Sequence, residues 1–276
     1  QFNFFNPKVG VNYSINSRQF ISATFGIANR EPVRKDFRES SAESRPKAEN
    51  MRDLEIGYAY NYNRLTINSN IYWMDYTNQL ILTGQINDVG GYTRTNAKKS
   101  YRAGIELAGK YKIIPTLVLS GAFTLSQNKI QQFNEYIDEY LDDEPYYSQE
   151  LIAHKNTNLA FSPTIVSNAG LTFEPLKNLS IDWITKYVGR QYLDNTSNDN
   201  RSINPFSFSN LTLSYKITNK FFEEITFGFL ANNIFNTLYS NNGYTFSYIY
   251  GGQTTTENFY YPQAGRNFLG RILIKI

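Results

Sequence analysis

The sequence predicts an all-β protein, an antiparallel up-and-down transmembrane β-barrel with about 11 strands in this chain. Three observations predict it. Apolar and polar residues alternate with period two through successive segments, as in strands with one apolar and one polar face. The connections between these segments alternate strictly between short turns and long loops. Tyr and Phe, with 22 and 20 residues, are abundant, and such rings suit the aromatic girdles of membrane barrels.

Two hairpins are predicted at the start of the chain. In the first, a turn at Asn16-Ser17-Arg18 separates two segments with a shared apolar face. That face carries Val9, Val11, Tyr13, Ile15, Ile21, Ala23, Phe25 and Ile27. A charged connection with two prolines, 29–50, precedes the second hairpin, which turns at 61–64. Its apolar residues are Leu54, Ile56, Tyr58, Tyr60, Tyr62, Leu65, Ile67, Ile71 and Trp73.

The middle of the chain repeats this arrangement with longer connections. Residues 77–98 have an alternation of their own, which predicts a small hairpin standing above the sheet. Strands are predicted around 101–107 and 117–125, on either side of a turn at Pro115. The longest predicted loop then runs from about residue 127 to 163 and contains an acidic run, Glu135 to Glu144.

Five more strands complete the pattern. Two of them, 169–173 and 179–183, flank a turn at 174–178, and two others, 211–217 and 225–231, flank a turn at 218–223. Loops are predicted at 194–205 and at about 236–265. The final strand, Phe268 to Ile276, places Phe268, Gly270, Ile272, Ile274 and Ile276 on one face. The other face carries Leu269, Arg271, Leu273 and Lys275.

A membrane barrel explains two features that a soluble sheet does not. Short turns at one end and long loops at the other are typical of outer-membrane barrels, whereas a soluble sandwich has Greek-key crossings. The polar face also carries charges of both signs, which are costly in a dry core and tolerated in a wet lumen or against a polar plug. These charges are Asp53, Glu55, Arg102, Glu106, Lys110, Asp182, Lys186, Arg190, Arg271 and Lys275. The alternative is a soluble β-rich binding domain, with these charges on a solvated outer face.

Composition excludes several other classes. The chain has no Cys and one His, so disulfides, thiolate metal sites and multi-His sites are excluded within it. No apolar run reaches the roughly 18 residues of a transmembrane helix, and the mean hydropathy is -0.46. The net charge of +3 is too small to indicate nucleic acid. Because the chain opens within the strand pattern at Gln1, we expect it to be a piece of a longer protein.

Four segments resemble a known family. They are 6–10 (NPKVG), 30–37 (REPVRKDF), 187–196 (YVGRQYLDNT) and 232–236 (NNIFN). Each looks like part of the C-terminal barrel half of TonB-dependent outer-membrane receptors, particularly those of Bacteroidetes. The resemblance implies a barrel of about 22 strands, so that residues 1–276 form its C-terminal part, without the plug domain and the N-terminal strands. The last residue, Ile276, departs from the aromatic residue that ends many outer-membrane barrels.

The resemblance also implies a function and partners. Family members take up scarce nutrients, and a ferric siderophore or similar iron chelate is the expected ligand. The implied partners are outer-membrane lipid, the protein's own plug and missing barrel half, the TonB complex acting through that plug, and the small nutrient ligand. The implied location is the outer membrane of a Gram-negative bacterium. The alternative function is a non-energised porin or adhesin barrel that binds a partner through its long loops.

No residue set in the sequence predicts catalysis, so we expect the protein not to be an enzyme. The single histidine, His154, lies in the longest predicted loop and is expected to be solvated rather than a ligand. The acidic run Glu135 to Glu144 has carboxylates that suit Ca²⁺ but lacks the spacing of an EF-hand. A solvated or ligand-shielding loop is the favoured interpretation of that run.

Arginines and tyrosines near the long connections are the candidate ligand-binding residues. Arg30, Arg34 and Arg190 fit either an anionic ligand or structural pairing with Glu31, Asp36 and Asp194, and pairing is favoured. Tyrosines there fit ligand recognition or an interface girdle equally well. The ligand-binding candidates are Arg30, Arg34, Tyr92, Arg94, Arg190, Tyr244 and Tyr248, with Phe246 and Tyr250 beside them. No catalytic residue, metal site or cofactor is expected.

Overall fold

The computed structural model describes residues 2–38, 40, 45–86, 92–218 and 221–276. Its first strands are β1 (Lys8–Asn16), β2 (Gln19–Arg30), β3 (Glu49–Tyr62), β4 (Leu65–Ile86), β5 (Tyr92–Ile114) and β6 (Leu117–Tyr140), with a short helix, α1 (Arg34–Arg38), after β2. The next are β7 (Tyr147–Asn158), β8 (Ile165–Leu176), β9 (Leu179–Val188), β10 (Gln191–Tyr192) and β11 (Ser202–Ile203). The last are β12 (Phe206–Ile217), β13 (Glu224–Asn232), β14 (Ser240–Tyr250), β15 (Gln253–Pro262) and β16 (Asn267–Lys275).

Eleven of these strands form one antiparallel meander. Their order is β1-β2-β3-β4-β5-β6-β8-β9-β12-β13-β16, and each strand pairs antiparallel with the next in that order. This confirms the predicted all-β, antiparallel fold and its number of main strands. Within the described residues β1 pairs only with β2 and β16 only with β13, so the sheet has two open edges.

One face of this sheet is an exposed apolar surface. The residues predicted to face lipid remain accessible, for example Val9 at 64%, Ile71 at 55% and Ile272 at 65%. Soluble monomers rarely expose a contiguous apolar surface of this kind. We call this outward surface of the meander the apolar belt, because on a transmembrane barrel it faces the lipid.

Two predicted loops are wrong, because both are hairpins. Residues 127–163 contain the upper half of β6 paired with β7, from Lys129↔Asn158 to Tyr140↔Tyr147. Residues 236–265 contain β14 and β15, joined by Gly251 and Gly252 at φ of +56° and +73°, a conformation that favours glycine. The upper part of β6, β7 and β15 lack the apolar and polar alternation of the meander, so period two does not reveal them in the sequence. β14 does alternate, with Tyr244, Phe246, Tyr248 and Tyr250 at every second position, a strand signal within a segment rich in Asn and Gly.

The predicted small hairpin at 77–98 is present as a continuation of β4 and β5. The two strands pair as far as Ile86↔Tyr92, and the residues between these positions lie outside the described part. A small apolar cluster lies at this end of the sheet and holds the extended hairpins together. It consists of Ile81, Ala97, Ile130, Phe133 and Leu159.

The helical content is small. Helix α1 has five residues and lies in the connection between β2 and β3. Among the described residues no helix has the length and apolar character needed to cross a membrane.

Candidate functional site

A polar cavity lies at the end of the sheet where the long connections emerge. It has a volume of about 320 Å³ and contains three arginines from two strands, Arg30 at the end of β2 and Arg94 and Arg102 on β5. The remaining lining residues are Glu49, Tyr76, Gln79, Leu80, Ile81, Leu82, Leu159, Ala160 and Asn195. The strands of the meander end side by side at this rim, so residues that are distant in sequence lie close together here. We call this site the arginine cavity.

Each arginine is held by a neighbouring strand or connection. The Arg30 Nε lies 2.5 Å from Glu49 Oε2, and the other oxygen of Glu49 accepts a hydrogen bond from the Leu80 backbone. The Arg94 Nη1 lies 3.8 Å from Asp36 Oδ1 on α1. The Arg102 Nη1 donates to Asn128 Oδ1 at 3.3 Å and to Ser162 Oγ at 3.2 Å.

The charges of the cavity favour an anionic ligand. Its lining contains three guanidinium groups and a single carboxylate, that of Glu49. Arg94 and Arg30 also remain accessible, with side-chain exposures of 39% and 59%. Guanidinium groups donate to carboxylates, phosphates and other anionic oxygens in charge-assisted hydrogen bonds. The cavity therefore has the chemistry to bind an anion that enters from the long-connection side.

A buried cluster of charged residues lies next to the cavity. The Arg201 Nη1 donates to Glu135 and, at 3.0 Å, to Asp194 Oδ2, and all three side chains are at most 13% exposed. The second oxygen of Glu135 lies 2.7 Å from His154 Nε2. Burial lowers the pKa of Arg201, but its hydrogen bonds to the two carboxylates outweigh burial and hold the pKa above its ordinary value.

The cluster corrects two expectations. His154 is not simply solvated, because its ring bonds to Glu135 and lies with its centroid 6.2 Å from that of Phe133. The acidic run is not a loop, because it forms the end of β6 and the turn that follows. Across the hairpin, β7 brings His154 opposite Phe133, beside Glu135, a pairing that depends on strand register rather than on sequence distance.

Asn195 connects the cavity to the cluster. It is fully buried, its side-chain amide donates to the Leu82 backbone oxygen, and its Oδ1 accepts from the Ala160 backbone at 2.9 Å. Its neighbour Asp194 pairs with Arg201. One dipeptide thus fixes the loop after β10 to both of the extended hairpins.

The predicted candidates are divided between several places. Arg30 and Arg94 share the arginine cavity, while Arg34 is exposed on α1. Arg190 pairs with Asp199 at 2.7 Å and not with the expected Asp194. Arg30 likewise pairs with Glu49 instead of Glu31. The backbone of Tyr92 begins β5, and its side chain lies outside the described part.

Tyr244 and Tyr248 lie on β14, on a hairpin that crosses to β6. Tyr244 stacks on Phe259 of β15, with ring centroids 4.8 Å apart. Tyr248 pairs in parallel with Asp138 of β6, and its ring lies 6.4 Å from that of Tyr140. The hairpin therefore joins the last long connection to the acidic one, and these two tyrosines stand away from the arginine cavity.

Arg102, Arg201 and Asn195 were not among the predicted site residues. Arg102 was recognised as a charge on the polar face, and its distance along β5 from the short turn is the signal that places it near the rim. Asn195 lies in 187–196, one of the four segments that carry the family resemblance, whereas nothing in the sequence distinguishes Arg201 from other loop residues. The described residues contain no group of three or more His, Cys, Asp or Glu side chains arranged to hold a metal ion.

The comparison with protein families decides what kind of barrel this is. A family model described as TonB dependent receptor-like, beta-barrel, matches residues 1–234. The chain belongs to this family. TonB-dependent receptors are β-barrels of the outer membrane and are transporters rather than enzymes, which confirms the expected location and the expected absence of enzymatic activity. No curated protein matches the chain in sequence.

Solved structures of receptors share the fold. The chain is similar to the ferric-catecholate import receptor Fiu from K12 E. coli, with 16% identity, a TM-score of 0.65, and coverage of 95% of this chain and 34% of that one. It is also similar to the siderophore receptor PiuA from Acinetobacter baumannii, with 14% identity, a TM-score of 0.68, and coverage of 96% of this chain and 35% of that one. The copper transporter OprC is similar as well, with 17% identity, a TM-score of 0.69, and coverage of 96% of this chain and 38% of that one. The receptor chain thus spans little more than a third of these structures.

Proposed function

We propose that this receptor barrel takes up an anionic iron chelate, such as a ferric siderophore, through TonB-dependent transport across the outer membrane. The arginine cavity is the observation that carries the proposal. Among the described residues it gathers three guanidinium groups and one carboxylate at the rim where the long connections emerge. Iron chelators commonly present negatively charged oxygens, which such a cavity attracts and binds.

The similar structures support the same class of ligand. Fiu is described as an importer of ferric catecholate and PiuA as a siderophore receptor. Uptake further requires a plug inside the barrel and a TonB complex that acts on it, and we propose both as partners of the whole receptor. The polar luminal face, with residues such as Glu106 and Lys110, suits contact with a hydrated plug.

Binding of a chelate by the whole receptor tests this proposal. We expect Arg94→Ala and Arg102→Ala each to weaken binding of an anionic ferric tris-catecholate about 10- to 100-fold, since each removes a charge-assisted hydrogen bond. Arg30 is left unchanged because its loss would leave the buried carboxylate of Glu49 without its cation. The measurement is tryptophan fluorescence quenching of receptor in detergent.

The matched control is Arg64→Ala, at the short-turn end of β4, where the guanidinium bonds to the Ile113 backbone oxygen at 3.4 Å. It should bind the chelate as the unchanged receptor does. A neutral ferric hydroxamate should bind weakly to all variants. Equal binding of the neutral and anionic chelates, or no effect of Arg94→Ala and Arg102→Ala, would contradict an anionic substrate.

Transport separates the proposal from a non-energised porin or adhesin. In cells that make the whole receptor, accumulation of labelled chelate should stop when the proton-motive force is abolished, while surface binding persists. Accumulation that continues without the proton-motive force would favour a porin, and binding without any accumulation would favour an adhesin.

A further inference from the structure

The outer face of β3 to β6 changes from apolar to charged as the strands approach the long connections. Leu54, Trp73 and Ala103 are register partners within the apolar belt, and Trp73 is 51% exposed. Tyr101 lies two residues nearer the rim on β5 and stacks on Trp73, with ring centroids 5.0 Å apart and an interplanar angle of 6°. Paired rings at the border of an apolar belt mark the membrane interface.

Three cations stand at or just beyond this border on the same face. Arg52, Asp75, Tyr101 and Lys129 are register partners in one row across β3 to β6. Lys99 lies in the next row, where its Nζ donates to Thr77 Oγ1 at 2.8 Å and lies 3.9 Å from Asp75 Oδ2. We call Arg52, Lys99 and Lys129 the outer cation patch.

The patch has more positive than negative charge. Asp75 is the carboxylate in these two rows, and it lies near Lys99. Among the described residues neither Arg52 nor Lys129 forms a salt bridge. Two cations therefore remain available to an external anion, beside the hydroxyls of Thr77 and Tyr101.

The position of the patch identifies the source of that anion. The arginine cavity and other luminal groups lie on the opposite face, so a ligand in the lumen does not reach the patch. The patch instead continues the apolar belt outward, which is the depth of lipid headgroups. Neighbouring strands lie about 4.8 Å apart, so Arg52 on β3 and Lys129 on β6 are separated by roughly 14 Å. That span suits a headgroup with more than one phosphate.

The outer face of β9 and β12 lacks this charge. On β9 and β12 the outward residues nearest the long connections are Tyr187 and Ser207, which are register partners and uncharged. The cations of β3 to β6 thus form a local patch in one sector of the barrel. A local patch is what binding of a particular lipid requires, whereas general attraction to an anionic surface would be served by charges all around the rim.

We propose that the outer cation patch binds the phosphorylated headgroup of an outer-leaflet lipid, with its acyl chains against the apolar belt beside Trp73. The guanidinium of Arg52 and the ammonium of Lys129 contact phosphate oxygens, and Lys99 is positioned by Thr77 to contribute a third cation. This site is separate from the arginine cavity and does not depend on which nutrient the receptor takes up.

Native mass spectrometry of the whole receptor with added lipid tests the site. The probe is lipid A carrying two phosphates, and the variant is the double substitution Arg52→Gln and Lys129→Gln. We expect the variant to bind lipid A more weakly than the unchanged receptor does, by a factor of about ten or greater. Dephosphorylated lipid A should bind the unchanged receptor no better than lipid A binds the variant. Heat-modifiable migration on gels confirms that each variant is folded.

The matched control is Arg64→Gln with Lys177→Gln, two cations from short turns at the opposite rim. It should retain lipid A at the level of the unchanged receptor. Equal lipid A binding by the patch variant would overturn the proposal, as would full competition by millimolar inorganic phosphate, since that would indicate a site for a soluble anion. Chelate binding should be unchanged in the patch variant. The chelate measurement therefore tests the proposed uptake function, and the lipid A measurement tests the outer cation patch, independently of each other.

Discussion

At the scale of single residues, a few buried side chains hold the long connections in place. Arg201 is the clearest example, because one guanidinium nitrogen serves two carboxylates from different segments, Glu135 on β6 and Asp194 after β10. Its Nε is buried and has no hydrogen-bond partner in the described structure. A buried charge is strongly destabilising once its partner is removed. Replacing Arg201 should therefore destabilise the protein more than replacing a surface arginine would.

Replacing Arg201 tests this role. We expect Arg201→Met to destabilise the β6–β7 hairpin by about 3–5 kcal/mol, since two buried carboxylates lose their shared cation. Hydrogen exchange of the hairpin amides measures the effect, and Arg201→Lys, which keeps the positive charge, should restore part of the protection. Unchanged exchange in the Met variant would show that the cluster does not hold the hairpin.

Asp199 provides a test at acidic pH. Hydrogen bonds from Arg190 and then Tyr192 lower the pKa of Asp199 below its ordinary value of 3.8. A carboxylate with a lowered pKa stabilises the folded loop above its unfolded-state pKa, and this contribution is lost as the pH falls through the folded-state pKa. We therefore expect the Arg190–Asp199 contact to persist at pH 4 and to break on further acidification.

Carboxyl NMR of receptor labelled at aspartate measures this midpoint, and Asp199→Asn assigns the signal by removing it. Arg190→Gln should raise the midpoint toward 3.8, because it removes the principal cause of the shift. A midpoint at or above 3.8 in the unchanged protein would contradict the pairing.

At the scale of elements, close approach between strands depends on particular glycines. A Cβ built on Gly104 of β5 would lie 2.6 Å from the Tyr72 hydroxyl on β4 and 2.7 Å from the Leu125 carbonyl oxygen on β6. The hydroxyl is able to move, but the carbonyl belongs to a paired strand. Gly104 therefore allows the three strands to pair at this level of the barrel.

We expect Gly104→Ala to destabilise the barrel by about 1–3 kcal/mol through overpacking. Denaturant unfolding in lipid vesicles measures the change. Gly270→Ala on β16, where nothing lies within 4 Å of the built Cβ, is the matched control and should have little effect. Equal stabilities of the two variants would show that the strands around Gly104 shift apart without cost.

At the scale of the whole molecule, the orientation of the sheet relative to the lipid is the feature to test. Ile71 lies in the apolar belt and is 55% exposed, whereas its neighbour Asn70 faces the lumen opposite Glu106. We expect Ile71→Lys to destabilise the membrane-inserted barrel by about 2–4 kcal/mol. Asn70→Lys should be tolerated, because it places the charge in the wet lumen beside a carboxylate.

The folded fraction recovered from outer membranes, read from heat-modifiable migration, measures both variants. If Asn70→Lys were the more damaging of the two, the two faces of the meander would have to be exchanged. If neither variant had an effect, the apolar belt would not be in contact with lipid.

The sequence was sufficient to predict the strands that contact lipid, because hydrocarbon on one side and water on the other impose period two on every strand. Val9 to Ile15 shows this alternation from end to end, and in Phe268 to Ile276 both cations, Arg271 and Lys275, fall on the face opposite Ile272 and Ile274. It was not sufficient for β7 and β15, which carry no such pattern, or for β14, whose alternating rings lie in a segment rich in Asn and Gly. Arg30 and Arg94 were found as site residues, while Arg102, Arg201 and Asn195 were not.

Period two and the alternation of turn lengths determined the sheet, its order and its outward face, since both are local consequences of strand geometry and of the bilayer. Only the tertiary structure decided which residues meet at the rim. Arg201 meets Glu135 at a sequence separation of 66, and Tyr250 donates to Asp142 at a separation of 108. Such contacts depend on the register of several strands and on hairpins that fold back across the barrel. Because these positions are set by many strands together, no local sequence pattern predicts them.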